Sequence, residues 1–324
     1  MSHGIRIHAY GGPEVLRWEE VLPGDPGRGE VLIRHTAIGL NFIDVYERTG
    51  LYKGALPLVP GREASGVVEE IGRGVRSLAP GDRVGYAYSK PGAYVQRRVM
   101  PAERLVRIPQ GVSDRLAAAA MLKGLTAECL LRRVWRVRRG QVIVIHAAAG
   151  GVGLIALQWA LHLGALVIAV VGSEAKAAVA REHGCEHVLV WGKDDLASRV
   201  RELSGGVGAH VVYDSVGHDT WSASLDSLRP RGLMVSFGNS SGPVPPFAPL
   251  ELSRRGSLYL TRPTLFDYIR RRTELESAAR ELFDLIGRGT IRIEIGRNYA
   301  LQDAAQAHRD LEGRQTVGST VLLP

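Results

Sequence analysis

The stretch Gln141-Val-Ile-Val-Ile-His-Ala-Ala-Ala-Gly-Gly-Val-Gly-Leu-Ile-Ala-Leu-Gln-Trp-Ala160 decides the fold. Val142 to Ile145 is an apolar, β-branched run, too short for an ordinary helix and bounded by Gly140 and a small-residue cluster. It reads as a buried strand. From Val152 onward apolar residues continue at helical spacing (Ile155, Leu157, Trp159, Leu161, Leu163), so the chain becomes a helix. The seam between them, Ala147 to Gly153, carries only small side chains. A tight turn is possible there, and backbone N–H groups and the positive end of the helix dipole can meet a ligand unobstructed. A pyrophosphate suits such a seam, although any α/β protein can use a tight strand-to-helix turn. The order strand, glycine turn, helix is that of the dinucleotide fingerprint, so Gly150, Gly151, Val152 and Gly153 are candidate pyrophosphate contacts. The first glycine of G-x-G-x-x-G is missing; the pattern is Ala147-x-x-Gly150-x-x-Gly153.

The second strand tells which dinucleotide. NAD-preferring domains place an acid about 20 residues beyond the glycines to hold the ribose hydroxyls. Here the strand ends Ala169-Val-Val171-Gly172-Ser173, without an acid. Ser173 can donate to a 2′-phosphate and Lys176 adds a positive charge one turn on. Ser173 can equally cap the helix, and one residue can serve both ends. The expected cofactor is NADPH. Trp191, ending the third strand, is placed to stack on an adenine or to pack as a half-buried aromatic.

Working outward, 324 residues predict two domains. Hydrophobic residues are 45% and charged ones 23%, ordinary for a globular protein. No apolar run reaches membrane-span length and the N-terminus lacks a secretory core, so a cytoplasmic location and no membrane partner are expected. Two cysteines, Cys129 and Cys185, exclude a disulfide framework and a four-thiolate zinc site. The net charge of +8 is carried mostly by arginine; lysine occurs only at 53, 90, 123, 176 and 193. The arginines are scattered among acids, and no nucleic-acid-binding motif accompanies them, so a nucleic-acid partner is not expected.

Residues 1 to about 110 read as β-rich, with strands Gly4 to Ala9, Glu30 to Ala37 and Ala64 to Ile71 between Gly/Pro turns, suggesting a small barrel or sandwich. Asn41 to Thr49 has helical spacing, and a helix begins near Ser113. Between 125 and 265 strands and helices alternate, predicting a parallel doubly wound sheet. The strands are Leu166 to Val171, His187 to Val190, His210 to Tyr213, Leu233 to Phe237 and Tyr259 to Thr261. An edge strand near 257–262 must be paired or covered, so a homodimer continuing the sheet is expected. After Pro263 come a helix, Glu274 to Ile286, and strands Ile291 to Ile295 and Gly318 to Leu323. The predicted division is 1–124, 125–264 and 265–324, with the last segment returning to the first.

Several motifs then fall in one order: Asn41-Phe-Ile-Asp44, Gly50-Leu-Tyr52, Pro60-Gly-Arg-Glu63, Ala79-Pro-Gly-Asp-Arg83, Leu122-Lys-Gly-Leu-Thr126, His146 to Gly153, Tyr213-Asp-Ser-Val-Gly217 and Ser236-Phe-Gly-Asn-Ser-Ser241. Together they resemble the bacterial NADPH:quinone oxidoreductases, the zeta-crystallin-like branch of the zinc-free medium-chain dehydrogenases/reductases. The resemblance covers essentially the whole chain. It implies a GroES-like catalytic domain and a Rossmann domain. It places Asn41 at the nicotinamide ribose, Tyr46 and Tyr52 in the substrate pocket, and Lys123, Gly124 and Thr126 at the cleft. Ser215, Val216 and Gly217 with Phe237, Gly238, Asn239 and Ser240 would complete the cofactor wall, and Arg262 and Arg314 would contact phosphate. Trp191 would replace a usual tyrosine beside the adenine. The positions matching the zinc ligands of metal-dependent relatives are Asn41, Arg62 and Lys123, a set unsuited to zinc, so no metal is expected. Without a Lewis acid the implied reaction is hydride transfer from NADPH to a quinone. The same geometry would serve an enone or alkenal C=C bond. A non-catalytic NADPH- or RNA-binding role is the third reading. Tyr46 or Tyr52 can hydrogen-bond a developing oxyanion, or both can simply shape the wall.

Overall fold

The computed structural model describes residues 2–324 and divides into two compact units, Met1–Leu125 with Ile269–Pro324, and Thr126–Tyr268. The first unit begins with a small antiparallel pair, β1 (His3–Arg6) and β2 (Arg17–Glu20). Its main sheet is built from β3 (Glu30–Leu40), β4 (Glu63–Ile71), β5 (Arg83–Ala87), β6 (Arg97–Pro101) and β7 (Val106–Arg107). Helix α1 (Phe42–Thr49) follows β3 directly and ends on Gly50, whose φ of 80° closes the helix in the left-handed region. Helix α2 (Asp114–Glu128) follows the strands.

In the second unit the strands are β8 (Val142–His146), β9 (Leu166–Val171), β10 (His187–Val190), β11 (Ala209–Asp214), β12 (Leu228–Ser236) and β13 (Tyr259–Thr261). Helices α3 (Gly151–His162), α4 (Glu174–Glu182), α5 (Leu196–Leu203), α6 (Trp221–Asp226) and α7 (Leu250–Arg254) connect them, and α8 (Leu265–Tyr268) closes the unit. The sheet is parallel throughout, in the order β10-β9-β8-β11-β12-β13. That is the doubly wound dinucleotide-binding order, whose ligands lie beyond the carboxyl ends of the strands. β8 is buried along its whole length, which explains its unbroken Val-Ile-Val-Ile run. Its core continues through Ile168, Val212 and Met234.

The chain then returns to the first unit with α9 (Arg272–Gly287), β14 (Ile295–Ala300), α10 (Ala304–Glu312) and β15 (Ser319–Leu323). β15 pairs antiparallel with β3, Thr320 opposite Leu40, and parallel with β14, giving a seven-stranded sheet. The core under it includes Ile33, Ile38, Tyr86, Tyr94 and Leu322.

Two strand predictions need correction. The segment Ile291 to Ile295 is not a strand; β14 starts at Ile295. Ile291 is buried and its N–H reaches back to Leu285 O at 3.2 Å, so it finishes α9 while imitating a strand alternation. β12 starts at Leu228, not Leu233. Its register against β11 jumps from Ala209–Leu228 to Val211–Leu233, and Arg231 in the extra residues sits at φ 59°. A bulge of that size hides a strand from pattern reading.

Candidate active site

Apart from Thr126, which lies on α2, the nucleotide candidates of the second unit follow the carboxyl ends of its strands. After β8, Ala147 opens the small-residue turn at φ 50°, and its carbonyl accepts Gly150 N at 2.9 Å. The αL conformation costs an alanine on the order of 1 kcal/mol, which the surrounding turn sustains. Gly150 is the helix N-cap and sets no side chain over the first-turn amides of α3. Gly153 is required by packing: a Cβ there would run into Ala147 O and come within 2.7 Å of Ala148 Cα. Helix and strand therefore approach as closely as the third fingerprint glycine permits.

After β9, Gly172 faces open space, with nothing within 4 Å of a built Cβ. Ser173 Oγ accepts Lys176 N at 3.3 Å and so caps α4; its hydroxyl proton remains a donor. After β10, the 37% exposed Trp191 meets His146 edge-on, with centroids 6.1 Å apart. After β11 and β12 two loops are laced together: Ser240 N to Ser215 O at 3.2 Å and Ser241 N to Val216 O at 2.9 Å. Gly238 allows that approach, since a Cβ would lie 2.8 Å from Ser215 Cα. Phe237 N donates to Asp214 O at 2.8 Å, while Asn239 accepts Gly242 N through its carbonyl at 3.0 Å. Arg262, past β13, donates through Nη1 to Ser236 Oγ at 2.9 Å and Gly238 O at 3.0 Å, bracing this wall from outside.

Asp214, unassigned by the sequence, organises the wall. Fully buried, it accepts Val216 N and Gly217 N on Oδ1, at 2.8 and 3.0 Å, and the Thr220 and Ser224 hydroxyls on Oδ2, both at 2.7 Å. Ser224 Oγ also meets His146 Nε2 at 2.9 Å. Burial lowers the His146 pKa and Asp214 opposes that. Since Ser224 gives its one proton to Asp214, the neutral imidazole donates from Nε2. The absence of an acid after β9, the open Gly172 position and the bare helix start fit a nucleotide carrying a 2′-phosphate.

In the first unit, the side chains of Asn41 and Lys123 converge on Glu63. Asn41 Nδ2 donates to Glu63 Oε2 at 2.8 Å and to Gly39 O at 3.2 Å. Lys123 Nζ lies 2.9 Å from the same Oε2, and Leu122 N is 2.6 Å from Oε1. All three side chains are buried, Glu63 completely. The sequence offered a faint signal for Glu63, an acid behind a Pro-Gly turn followed by the small and apolar residues Ala64 to Val68. Arg62 points elsewhere and pairs through Nε with Glu47 Oε1 at 2.6 Å, where burial raises the Glu47 pKa and Arg62 lowers it. Tyr46 and Tyr52 form a T-shaped pair, centroids 5.2 Å apart, and Phe42 adds a third ring 5.5 Å from Tyr46. Arg314 lies in the exposed turn after α10, at φ 58°. Thr126, which opens the second unit, continues α2 three residues beyond Lys123.

Helix α1, which carries Tyr46, is fixed by charge at both ends. Asp44 Oδ2 accepts Asn41 N at 2.9 Å and Tyr94 Oη at 2.9 Å. Burial first, then the neighbouring Glu47, push the Asp44 pKa up to about 7. Arg48, 1% exposed, donates to Glu312 through both terminal nitrogens at 2.7 and 2.8 Å, and to His308 Nδ1 at 3.2 Å. His308 Nε2 meets Tyr94 Oη at 3.1 Å, and burial, then Arg48, lower its pKa to about 3. A directed chain results: Arg48 to His308, His308 to Tyr94, Tyr94 to Asp44.

Two family models match in tandem: the alcohol dehydrogenase GroES-like domain over residues 27–110, and the zinc-binding dehydrogenase over residues 151–286. The chain is 51% identical to quinone oxidoreductase from Pseudomonas aeruginosa, with 100% of both chains covered. The chain belongs to the quinone oxidoreductase family of the medium-chain dehydrogenases/reductases. It is also 46% identical to 2-haloacrylate reductase from a Burkholderia species, over 98% of each chain. Among solved structures it resembles Escherichia coli quinone oxidoreductase complexed with NADPH: TM-score 0.98, 47% identity, 99% of this chain and 100% of the other covered. The family carries a zinc-binding name, yet among the described residues no group of three or more His, Cys, Asp or Glu is placed to hold a metal ion. No helix among them is long and apolar enough to cross a membrane.

Proposed function

We propose that the chain is an NADPH-dependent quinone reductase that transfers hydride without a metal. The observation that carries this reading is the open, acid-free end of β9, where Gly172, Ser173 and Lys176 suit a 2′-phosphate, in a relative of the NADPH-bound Escherichia coli enzyme. Gly150 to Gly153 would hold the pyrophosphate, Trp191 the adenine, and Ser215 to Gly217 with Phe237 to Ser240 the nicotinamide half. NADPH, when bound, supplies the hydride. This chain's own residues orient the acceptor and meet the charge that develops on it. Asn41, Tyr46, Tyr52 and Lys123 are the acceptor-side candidates. Asn41, Arg62 and Lys123, aligned with the zinc ligands of metal-dependent relatives, offer no thiolate or imidazole. Residues 1–124 and 265–324 would then make up the catalytic domain, and residues 125–264 the Rossmann domain. A homodimer would form across β13, where Tyr259 is 60% exposed.

The likeness to a 2-haloacrylate reductase supports a second activity, reduction of an activated C=C bond. Initial rates with NADPH or NADH, against a small benzoquinone and a simple enone, test both readings. NADPH consumption dependent on the quinone, with NADH far poorer, is expected. Equal use of NADH would refute the 2′-phosphate assignment, and a higher kcat/KM for the enone would make C=C reduction the main activity.

A further inference from the structure

We propose that the buried Glu63 carboxylate is a positioning residue that aims the Lys123 ammonium at the acceptor, where Lys123 stabilises the oxyanion formed on hydride arrival. The inference rests on the quinone or enone reductase reading and names the group of that site that meets the developing charge. Three observations carry it. Lys123 is 4% exposed and spends one of its three N–H donors on Glu63 Oε2 at 2.9 Å, and no second hydrogen-bond partner for its Nζ occurs among the described residues. A buried ammonium with two donors in hand is suited to an incoming anion. Glu63 is fixed from three directions by Asn41 Nδ2, Leu122 N and Lys123 Nζ, so the position of Nζ is set by β4 and α2 together and does not depend on solvent. Finally, fold stability does not account for the pair, because a buried ion pair holds a fold no better than well-packed apolar side chains of similar volume.

The step balances simply. The acceptor gains a hydride from the reduced nicotinamide at a carbon conjugated to its oxygen. The electron pair moves onto that oxygen, giving an enolate from an enone and a keto-enolate from a quinone. A solvent proton neutralises the enolate; the quinone product becomes hydroquinone when its sp3 ring carbon gives up a proton to solvent and its oxygens are protonated. Lys123 keeps its protons and contributes hydrogen bonds and charge, positioned before the charge develops.

Two variants and two readouts test this. Lys123→Gln leaves Glu63 buried without its counter-charge and can fail to fold. The paired variant Lys123→Gln with Glu63→Gln removes both charges and keeps hydrogen-bonding groups in both places. We expect the paired variant to lose about 100-fold in kcat/KM for a simple enone. For an electron-poor quinone, whose anion is far less basic, the loss should be about 10-fold or less. The binding readout needs no turnover. p-Nitrophenolate, followed by its absorbance, should bind the paired variant about 10-fold more weakly than the parent, while its neutral analogue p-nitroanisole binds both alike. A folded paired variant that binds the phenolate unchanged, or that loses equally on both acceptors, overturns the proposal. If the parent protein reduces neither acceptor, the reductase reading fails instead, and the phenolate measurement still reports on Lys123.

Discussion

Replacing Asp44 by asparagine should flatten the pH dependence of stability in the first unit. In the folded chain the Asp44 pKa stands at about 7, against 3.8 for an ordinary aspartate. Between those values the native protein holds a proton at Asp44 that the unfolded chain has released. The unfolded state binds fewer protons, so the contribution of this group to stability falls as pH rises from about 4 to about 7 and is level above. From pH 5 to pH 8 roughly two units of that window are crossed, which at about 1.4 kcal/mol per unit removes about 2–3 kcal/mol. The substituted amide would have no proton to lose. Its oxygen can accept from Asn41 N and Tyr94 Oη, as Asp44 Oδ2 does. Its NH₂ would take the place of Oδ1, which is buried and has no hydrogen-bond partner among the described residues, a cost of about 1–3 kcal/mol independent of pH. Urea denaturation of both proteins at pH 5, 6.5 and 8 isolates the effect, since His308 and every other titrating group cancel in the difference. Wild type should lose about 2–3 kcal/mol relative to Asp44→Asn between the extremes. A difference that stays constant with pH would refute the reasoning, showing that Asp44 remains ionised throughout with Arg62 and Arg48 compensating it.

Three further substitutions probe the second unit. Gly153→Ala puts a methyl group into Ala147 O and against Ala148 Cα; pushing α3 from β8 should cost about 1–3 kcal/mol and weaken NADPH binding by calorimetry, whereas Gly172→Ala, which meets nothing within 4 Å, should leave stability within about 0.5 kcal/mol. Asp214→Ala strands two backbone N–H groups and two hydroxyls that now share one carboxylate; thermal unfolding should show a loss of about 3–5 kcal/mol, with weaker NADPH binding as the 215–217 turn loosens, and an unchanged melting temperature would contradict the bonding described.

The nucleotide half of the molecule was legible because its signals are local. A strand, a small-residue turn and a helix occupy neighbouring positions, and Ala147 opens the turn in the left-handed region. Strand β9 ends at Val171 as its composition suggests, and the missing acid is visible at Gly172 without any tertiary information. Where local pattern failed, tertiary structure had taken the residues. Ile291 alternates with Arg292 as a strand would, but its N–H completes α9, and the bulge around Arg231 broke β12 where the pattern needed continuity.

The proposed acceptor side is another matter, because it depends on long-range convergence of charge. Asn41, Glu63 and Lys123 stand on an N-cap, a strand and a helix, and none of the three local contexts announces the others. Arg48 reaches His308 and Glu312 across some 260 residues, closing a chain of donors that ends on Asp44 at the start of the same helix. Pattern reading records such residues as single polar positions in amphipathic elements. What brings them together is that Glu63 and Asp44 are buried with their partners, at a desolvation cost that only a precise pairing offsets. The helix that presents Tyr46 is tied at Asp44 to Tyr94 and at Arg48 to His308 and Glu312, and substitutions at Asp44 or Arg48 should displace Tyr46 and Tyr52 through the helix. Quinone KM, rising while NADPH affinity stays constant, is the quantity that would register that displacement.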